Sequence, residues 1–234
     1  MEVHDPANYR AESHDKYPPF WNVPMLPSAH LMGSVGATTI ENFYVVGEAW
    51  AHVVGSLLPG GGTVLDIGCG CARTARFLLL ARNIEYVGID IFAPSIEWSN
   101  REVAPLGAGR FSFVHLDARS AHYNPHGAMA PEAVVFPLGD AGVDLAFAAS
   151  LFTHLLEPAA ARYLAESARV LKRGGLLVAS IHDEVGPGET VRGDEARIDV
   201  SREHFREMAR RTGLELDRDL GLVCGQQTFA FRKL

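Results

Sequence analysis

Short apolar runs alternate with amphipathic stretches through most of the chain. Apolar runs are typical of buried parallel strands, and apolar residues that recur every three or four positions are typical of helices. Strands that alternate with helices in this way indicate a parallel sheet covered by helices on both faces. The runs predict strands over 64–67, 85–90, 111–117, 143–150 and 176–181, followed by two closing strands over 214–220 and 228–232.

Helix ends carry recognisable capping residues. Thr38 and Glu41 form a capping box in front of a helix that Pro59 ends. Further helices are predicted over 73–82, over 94–102 with proline in the first turn, over 158–173 with glycines after it, and from Ser201 to Gly213.

Three segments have no steady period. Residues 1–37 are rich in proline and aromatic residues and predict an arm folded over the domain, either as a structural clasp or as a lid over a substrate pocket. Residues 118–142 predict a long loop at the ligand edge of the sheet, and the polar, glycine-rich residues 186–199 predict a second, mobile loop. No repeat or linker interrupts the remainder, so residues 38–234 are predicted to form a single domain.

Composition limits the possible partners. The formal net charge of −7 over 234 residues argues against nucleic acid, because phosphate contacts require a basic face. No apolar run approaches the roughly 18 residues of a membrane span, and the first residues do not resemble a signal peptide. Three cysteines do not make a disulfide framework, so a reducing, cytoplasmic location is expected.

One stretch combines a strand, a glycine turn and a helix start. In 64–73 the apolar strand carries Asp66 and is followed by Gly68 and Gly70. Glycines allow a sharp turn and a close approach of the backbone to a ligand, and a helix N-terminus then points at it. The dinucleotide fingerprint requires a third glycine where this chain has Arg73. Asp66 favours a ligand with a positively charged group.

This stretch resembles the first motif of class I S-adenosylmethionine-dependent methyltransferases, except that Ala72 stands where glycine is commoner. The resemblance implies a Rossmann-like fold over residues 63–234, with a seven-stranded, mostly parallel sheet, helices on both faces and an antiparallel last strand. Four further segments resemble a subgroup of small bacterial methyltransferases: 123–127, 136–140, 152–154 and 169–175.

The resemblance implies S-adenosylmethionine as the cofactor and places its parts. Asp66 and Gly68 are expected at the methionine end, and Asp117 with the amide of Ala118 at the adenine edge. Asp90 ends the second strand about 20 residues beyond the glycine turn, where an acid accepts both ribose hydroxyls. The other expected cofactor residues are Cys69, Gly70, Arg73, Ile91 and Ser150.

Three residues at strand ends are candidate catalytic groups. A hydroxyl attacks a methyl group well only as its proton leaves, which requires a general base. His154 follows the fourth strand, and His182 with Asp183 follows the fifth, at the edge where ligands lie in open α/β sheets. Each histidine could instead serve only in a structural hydrogen bond. No metal is expected.

These observations predict an S-adenosylmethionine-dependent O-methyltransferase that acts on a small hydroxylated metabolite or sugar. N-methylation of a small amine and non-catalytic binding of S-adenosylmethionine are the alternatives. The missing third glycine disfavours a nicotinamide dehydrogenase. The expected partner is a small-molecule acceptor, with no nucleic acid and no membrane, while the acceptor's identity and the oligomeric state stay open.

Overall fold

The computed structural model describes residues 26–234, and most of the predicted 1–37 arm lies outside them. Nine strands are present in this part of the chain. They are β1 (Gly62–Ile67), β2 (Ile84–Asp90), β3 (Phe111–His115), β4 (Val143–Ala148), β5 (Leu171–Ile181), β6 (Val191–Asp194), β7 (Arg197–Val200), β8 (Leu214–Val223) and β9 (Gln226–Lys233).

Six α-helices connect these strands or precede them in the described part of the chain. They are α1 (Ala29–Ser34), α2 (Ile40–Leu57), α3 (Ala75–Leu78), α4 (Ala93–Glu102), α5 (Glu157–Val170) and α6 (Arg202–Arg210), with short 3₁₀ turns at Ala104–Gly107 and Pro131–Ala133. None of the helices described is both long enough and apolar enough to span a bilayer.

Seven strands form one sheet in the order β3-β2-β1-β4-β5-β9-β8. Strands β1 to β5 are parallel, whereas β9 runs antiparallel to both of its neighbours. The predicted seven-stranded, mostly parallel sheet is therefore confirmed. The strand order reverses between β1 and β4, and such a switch point opens a crevice at the carboxyl ends of the strands.

Helices cover both faces of the sheet, as predicted. Along β4, Leu145 and Phe147 pack with α1 to α4 on one face, whereas Ala146 and Ala148 pack with α5 and α6 on the other. This alternation follows from the two-residue period of a strand. Phe147, which is fully buried, stacks on Trp50 of α2 with ring centroids 6.1 Å apart.

Three predicted helix boundaries were wrong by a few residues. Thr39, not Thr38, caps α2, because its side chain accepts the N–H of Asn42. The helix predicted over 73–82 is α-helical only at Ala75–Leu78. Helix α5 ends at Val170 instead of reaching Arg173, because Leu171 already pairs with β4 and the next four residues bulge before the pairing resumes at Leu176.

The segment predicted as a loop over 186–199 contains a β-hairpin instead. Strands β6 and β7 pair antiparallel from Val191 opposite Val200 to Asp194 opposite Arg197. Asp199 is 5% exposed and accepts hydrogen bonds from the guanidinium groups of Arg192 and Arg197. Arg192 and Asp199 are therefore cross-strand partners, and such a pair stabilises a hairpin.

Candidate functional site

A cavity of about 380 Å³ opens at the carboxyl ends of β1, β2 and β4. Its walls come from those strand ends, from the loop between α1 and α2, and from the loop after β3. The start of α5 and the turn of the β6–β7 hairpin complete it. The cavity therefore lies at the switch point of the sheet, where the sequence predicted the cofactor.

The glycine turn after β1 lines one end of the cavity. Gly70 has a φ of 51°, and a Cβ built on it would lie 2.2 Å from Cγ1 of Val35. Glycine is therefore required both by the backbone conformation and by the close approach of the loop before α2. Ala72 also has a positive φ, of 56°, which is why glycine would suit that position without strain.

Asp66 lies at this end of the cavity and is 3% exposed. The hydroxyl of Tyr86 donates to its Oδ2 at 2.5 Å. Burial raises the pKa of Asp66 to about 7, against the lowering effect of the Tyr86 hydroxyl, and the nearby Asp90 adds to the rise while Arg73 opposes it. A buried carboxylate of this kind is a strong attractor for a cation that enters the cavity.

Asp90 braces the glycine turn from the end of β2. Its Oδ2 accepts the N–H of Gly70 at 2.7 Å, and its Oδ1 accepts the N–H of Phe92 at 2.8 Å. Burial raises the pKa of Asp90, while these two backbone bonds oppose the rise. Because each carboxylate oxygen has more than one acceptor site, the same group is still able to accept two ligand hydroxyls.

Arg73 ties the segment before α2 to the turn. Its Nη1 donates to the carbonyl of Val35 at 2.9 Å, and the thiol of Cys71 contacts the carbonyl of Leu31 at 3.2 Å. The four consecutive residues 33–36 line the cavity. The described end of the predicted arm therefore lies over the glycine turn, as one wall of the site.

Hydrogen bonds to polar residues of β5 and β9 fix the turn that follows β4. Ser150 has a φ of 61°. Its N–H donates to Oγ of Ser180 at 2.8 Å, Ser180 donates to Oε1 of Gln226 at 2.7 Å, and Nε2 of Gln226 donates back to Oγ of Ser150 at 2.7 Å. This closed ring of bonds holds a strained residue beside the cavity.

His154 lies in the cavity wall one turn after Ser150. Its Nδ1 is 3.0 Å from the carbonyl oxygen of Glu195. Because a carbonyl only accepts, the proton of the neutral ring is assigned to Nδ1, and Nε2 is left with the lone pair of a base. Burial lowers the pKa of His154, against the effect of the Glu195 carbonyl, and the nearby His122 and His182 lower it further.

The cavity brings most of the predicted residues together. Those that line it are Asp66, Gly68, Cys69, Gly70, Arg73, Asp90, Ile91, Ala118, Ser150 and His154. Ala118 lines the cavity, but its N–H, which was expected at the adenine edge, donates to the carbonyl of Leu116 at 2.8 Å.

Three predicted site residues lie outside the cavity lining. Asp117 is exposed beyond the end of β3, where its carboxylate accepts from the amide of Asn124. His182 follows β5, but β7 covers that end, because the carbonyl of His182 accepts the N–H of Val200. Asp183 accepts from the backbone and guanidinium N–H groups of Arg202, so it anchors the start of α6.

Several lining residues were missed by the sequence reasoning. Their chemistry divides the far half of the cavity into an apolar wall and a polar rim. The apolar wall contains Leu151, Leu155, Leu156 and Ala159, together with the largely buried Tyr163, and the rim contains His122, Tyr123, Glu132 and Glu195. The rim residues lie in loops and a hairpin turn, where no period marks which side chains face inward.

In the part of the chain that the structure describes, no three His, Cys, Asp or Glu side chains are grouped so that they could hold a metal ion. The buried thiols of Cys69 and Cys71 instead belong to the packing around the glycine turn.

Comparisons with known proteins agree with this geometry. Residues 65–177 match the family model of a methyltransferase domain. An O-methyltransferase of Penicillium expansum is 28% identical over 185 residues, which cover 75% of this chain and 61% of that protein. The chain thus spans about six-tenths of the length of this curated relative.

Solved structures share the fold at low sequence identity. A TehB-like S-adenosylmethionine-dependent methyltransferase from Corynebacterium glutamicum is 20% identical, with a TM-score of 0.57 over 98% of this chain and 100% of its own. A Burkholderia thailandensis 1,6-didemethyltoxoflavin-N1-methyltransferase, solved with its substrate and S-adenosylhomocysteine, is 17% identical, with a TM-score of 0.59 over 100% and 92%. A geranyl diphosphate C-methyltransferase from Streptomyces coelicolor is 15% identical, with a TM-score of 0.59 over 80% of both chains.

Proposed function

We propose that this chain methylates a hydroxyl group of a small molecule. The order of its sheet and the match of residues 65–177 support its assignment to the class I S-adenosylmethionine-dependent methyltransferases. The observation that carries the proposal is the place of His154 in the wall of the cavity, with Nδ1 against a carbonyl oxygen. That arrangement leaves Nε2 as a base for a hydroxyl proton.

The residues at the other end of the cavity suit the cofactor. Bound S-adenosylmethionine supplies a methyl group that its sulfonium charge already activates. The buried carboxyl of Asp66 suits the ammonium group of the methionine moiety, and Asp90 suits the ribose hydroxyls. Gly70 allows the backbone to lie close to the ligand, because it has no Cβ there.

His154 is proposed to take the acceptor's proton. An imidazole with a pKa below its ordinary value is neutral near pH 7, so it is ready to accept a proton. The Glu195 carbonyl would also stabilise the imidazolium that forms, since it accepts from Nδ1–H in both states. Orientation of the hydroxyl in line with the methyl–sulfur bond supplies the remaining rate enhancement.

The acceptor is proposed to have an apolar body and a polar edge. Leu151, Leu155 and Ala159 form an apolar wall, whereas His122 and Glu132 lie in the rim. Apolar lining with few polar groups is the usual composition of small-molecule sites. A small phenol or alcohol meets these requirements better than a strongly anionic molecule.

N-methylation of a small amine is the second candidate. Glu132 and Glu195 place two carboxylates in the cavity lining, which favours a basic acceptor. One of the structural neighbours methylates a ring nitrogen, as its name states. A neutral amine needs no base, so this candidate makes His154 dispensable.

The test is transfer of a radiolabelled methyl group from S-adenosylmethionine to a panel of small phenols, alcohols, sugars and amines. His154→Asn keeps the size of the side chain but removes the base at neutral pH. We expect it to lower turnover of a hydroxyl acceptor by roughly 10²-fold or more, the range for a lost general base, with unchanged binding of S-adenosylhomocysteine by calorimetry.

His182→Asn is the matched control, because His182 lies outside the cavity lining. It is expected to stay within a few-fold of the wild type. Turnover of a hydroxyl acceptor by His154→Asn at the wild-type rate would remove the base from the mechanism. Cofactor binding without transfer to any member of the panel would favour the non-catalytic alternative.

A further inference from the structure

The turn of the β6–β7 hairpin contacts both loops that line the far half of the cavity, which is proposed to hold the acceptor. The main chain of Glu195 contacts one loop, through its carbonyl and Nδ1 of His154. Its side chain contacts the other, because Oε2 accepts from Oγ of Ser120 at 2.6 Å and from the N–H of Ala121 at 2.7 Å. Glu195 itself lines the cavity.

The hairpin is anchored independently of these contacts. The N–H of Ile198 donates to the carbonyl of Thr153 at 2.8 Å, and the N–H of Val200 donates to that of His182 at 2.8 Å. The buried Asp199 of β7 pairs with Arg192 across the hairpin and with Arg197 of its own strand. The base of the hairpin therefore has its own attachments, and the Glu195 carboxylate adds only the link to the loop after β3.

That link leads back to His154. Oγ of Ser120 accepts the N–H groups of His122 and Tyr123, each at 3.3 Å. The ring of Tyr123 lies edge-on to the imidazole of His154, with centroids 5.5 Å apart. Glu195, Ser120, Tyr123 and His154 thus form a closed circuit of contacts around the candidate base. In such a circuit each contact restricts the positions of the others.

We propose that Glu195 is a positioning residue for His154. The Glu195 carboxylate closes this circuit, and so keeps the Nδ1–H of His154 on the Glu195 carbonyl and the lone pair of the ring on Nε2. The proposal rests on the proposed function in one respect: a general base needs this tautomer of His154. The state of the ring itself is a property of the free protein. It is therefore measurable without knowing the acceptor.

Three full-length variants test the proposal. Glu195→Ala removes the link, whereas Glu195→Gln keeps an oxygen that accepts from Ser120 or Ala121. Glu189→Ala is the matched control, because within residues 26–234 the Glu189 carboxylate bonds only to the nearby N–H of Gly186. The probes are nitrogen-15 and proton resonances of the His154 ring, hydrogen exchange of the Ala121 amide, and calorimetry with S-adenosylhomocysteine.

In Glu195→Ala we expect exchange at Ala121 to rise by about 10-fold to 100-fold, the range for loss of a hydrogen bond to a charged group. The ring of His154 should change from the Nδ1–H tautomer to a mixture of the two. Glu195→Gln should restore most of the wild-type signal, and Glu189→Ala should match the wild type. Binding of S-adenosylhomocysteine should be the same in all variants.

An unchanged His154 tautomer in Glu195→Ala overturns the proposal, and it does so even if exchange at Ala121 rises, because Glu195 would then anchor the loop only. Should Glu195→Ala fail to fold, Ser120→Ala breaks the same circuit from its other side and must shift the tautomer. Failure of the proposed function is a separate result, namely wild-type turnover by His154→Asn, and it leaves these spectra as they are.

Discussion

Asp66→Asn is expected to stabilise the ligand-free protein above pH 7 while weakening its binding of S-adenosylhomocysteine. The carboxyl is 3% exposed, and its pKa is raised from 3.8 to about 7, chiefly by burial. Its ionised form is therefore unfavourable in the folded protein without a cation beside it. Asparagine keeps an oxygen that accepts from the Tyr86 hydroxyl but never ionises.

The sign of the pH effect follows from the raised pKa. Below pH 3.8 the carboxyl is protonated in both the folded and the unfolded chain, so it contributes no difference. Between 3.8 and about 7 only the unfolded chain ionises, and stability falls as the pH rises. At 1.36 kcal/mol per pH unit, the raised pKa lowers the stability of the wild type by about 1–2 kcal/mol at pH 5 and by about 4 kcal/mol above pH 7.

Denaturant unfolding of the ligand-free protein at pH 5 and pH 8 measures this difference. Asp66→Asn should exceed the wild type in free energy of unfolding at both values, and by about 3 kcal/mol more at pH 8. Calorimetry should show that wild-type affinity for S-adenosylhomocysteine rises as the pH increases through 7, since its ammonium group pairs with the ionised carboxylate. The variant should show weaker binding without this rise.

Glu97→Gln, at an exposed position of α4, is the control and should change neither quantity. If Asp66→Asn is no more stable than the wild type at pH 8, burial does not penalise the carboxylate as argued. If its affinity for S-adenosylhomocysteine equals that of the wild type, Asp66 does not hold the ammonium group.

Two further predictions concern the same end of the cavity. Asp90→Ala removes the acceptor of the N–H groups of Gly70 and Phe92, which is also the proposed acceptor of the ribose hydroxyls. It should lower affinity for S-adenosylhomocysteine by roughly 1.5–3 kcal/mol in calorimetry. Wild-type affinity would contradict the ribose assignment. Gly70→Ala places a Cβ 2.2 Å from Cγ1 of Val35 and should weaken that affinity about 10-fold or more, whereas Gly109→Ala, with no atom within 4 Å, should leave it unchanged. Equal affinities in these two variants would contradict the close approach of the loop before α2.

The sequence predicted the sheet and the strand ends that line one end of the cavity. Apolar runs reveal strands directly, and parallel strands place their carboxyl ends at one edge. Asp66 lies just before Gly68, and Asp90 ends the next strand, 20 residues after Gly70, whose N–H it accepts. Local pattern therefore suffices to bring them to the same cavity.

The position of a residue after a strand did not by itself decide whether it faces the cavity. Asp117, His182 and Asp183 all follow strands, yet Asp117 pairs with Asn124 and the other two lie beneath β7 and α6. Hydrogen bonds from neighbouring segments, made by side chains as well as by the backbone, cover or redirect those residues. Such bonds leave no period in the sequence.

Only the tertiary structure decided which residues line the far half of the cavity. Glu195 is 41 residues from His154 and 75 residues from Ser120 in the chain, and the polar, glycine-rich segment that carries it was predicted to be a loop. Only the pairing of β6 with β7 places Arg192 opposite Asp199 and brings the hairpin turn against both loops. Contacts over such separations depend on the whole fold, because closing a long loop costs chain entropy that local residues alone do not offset.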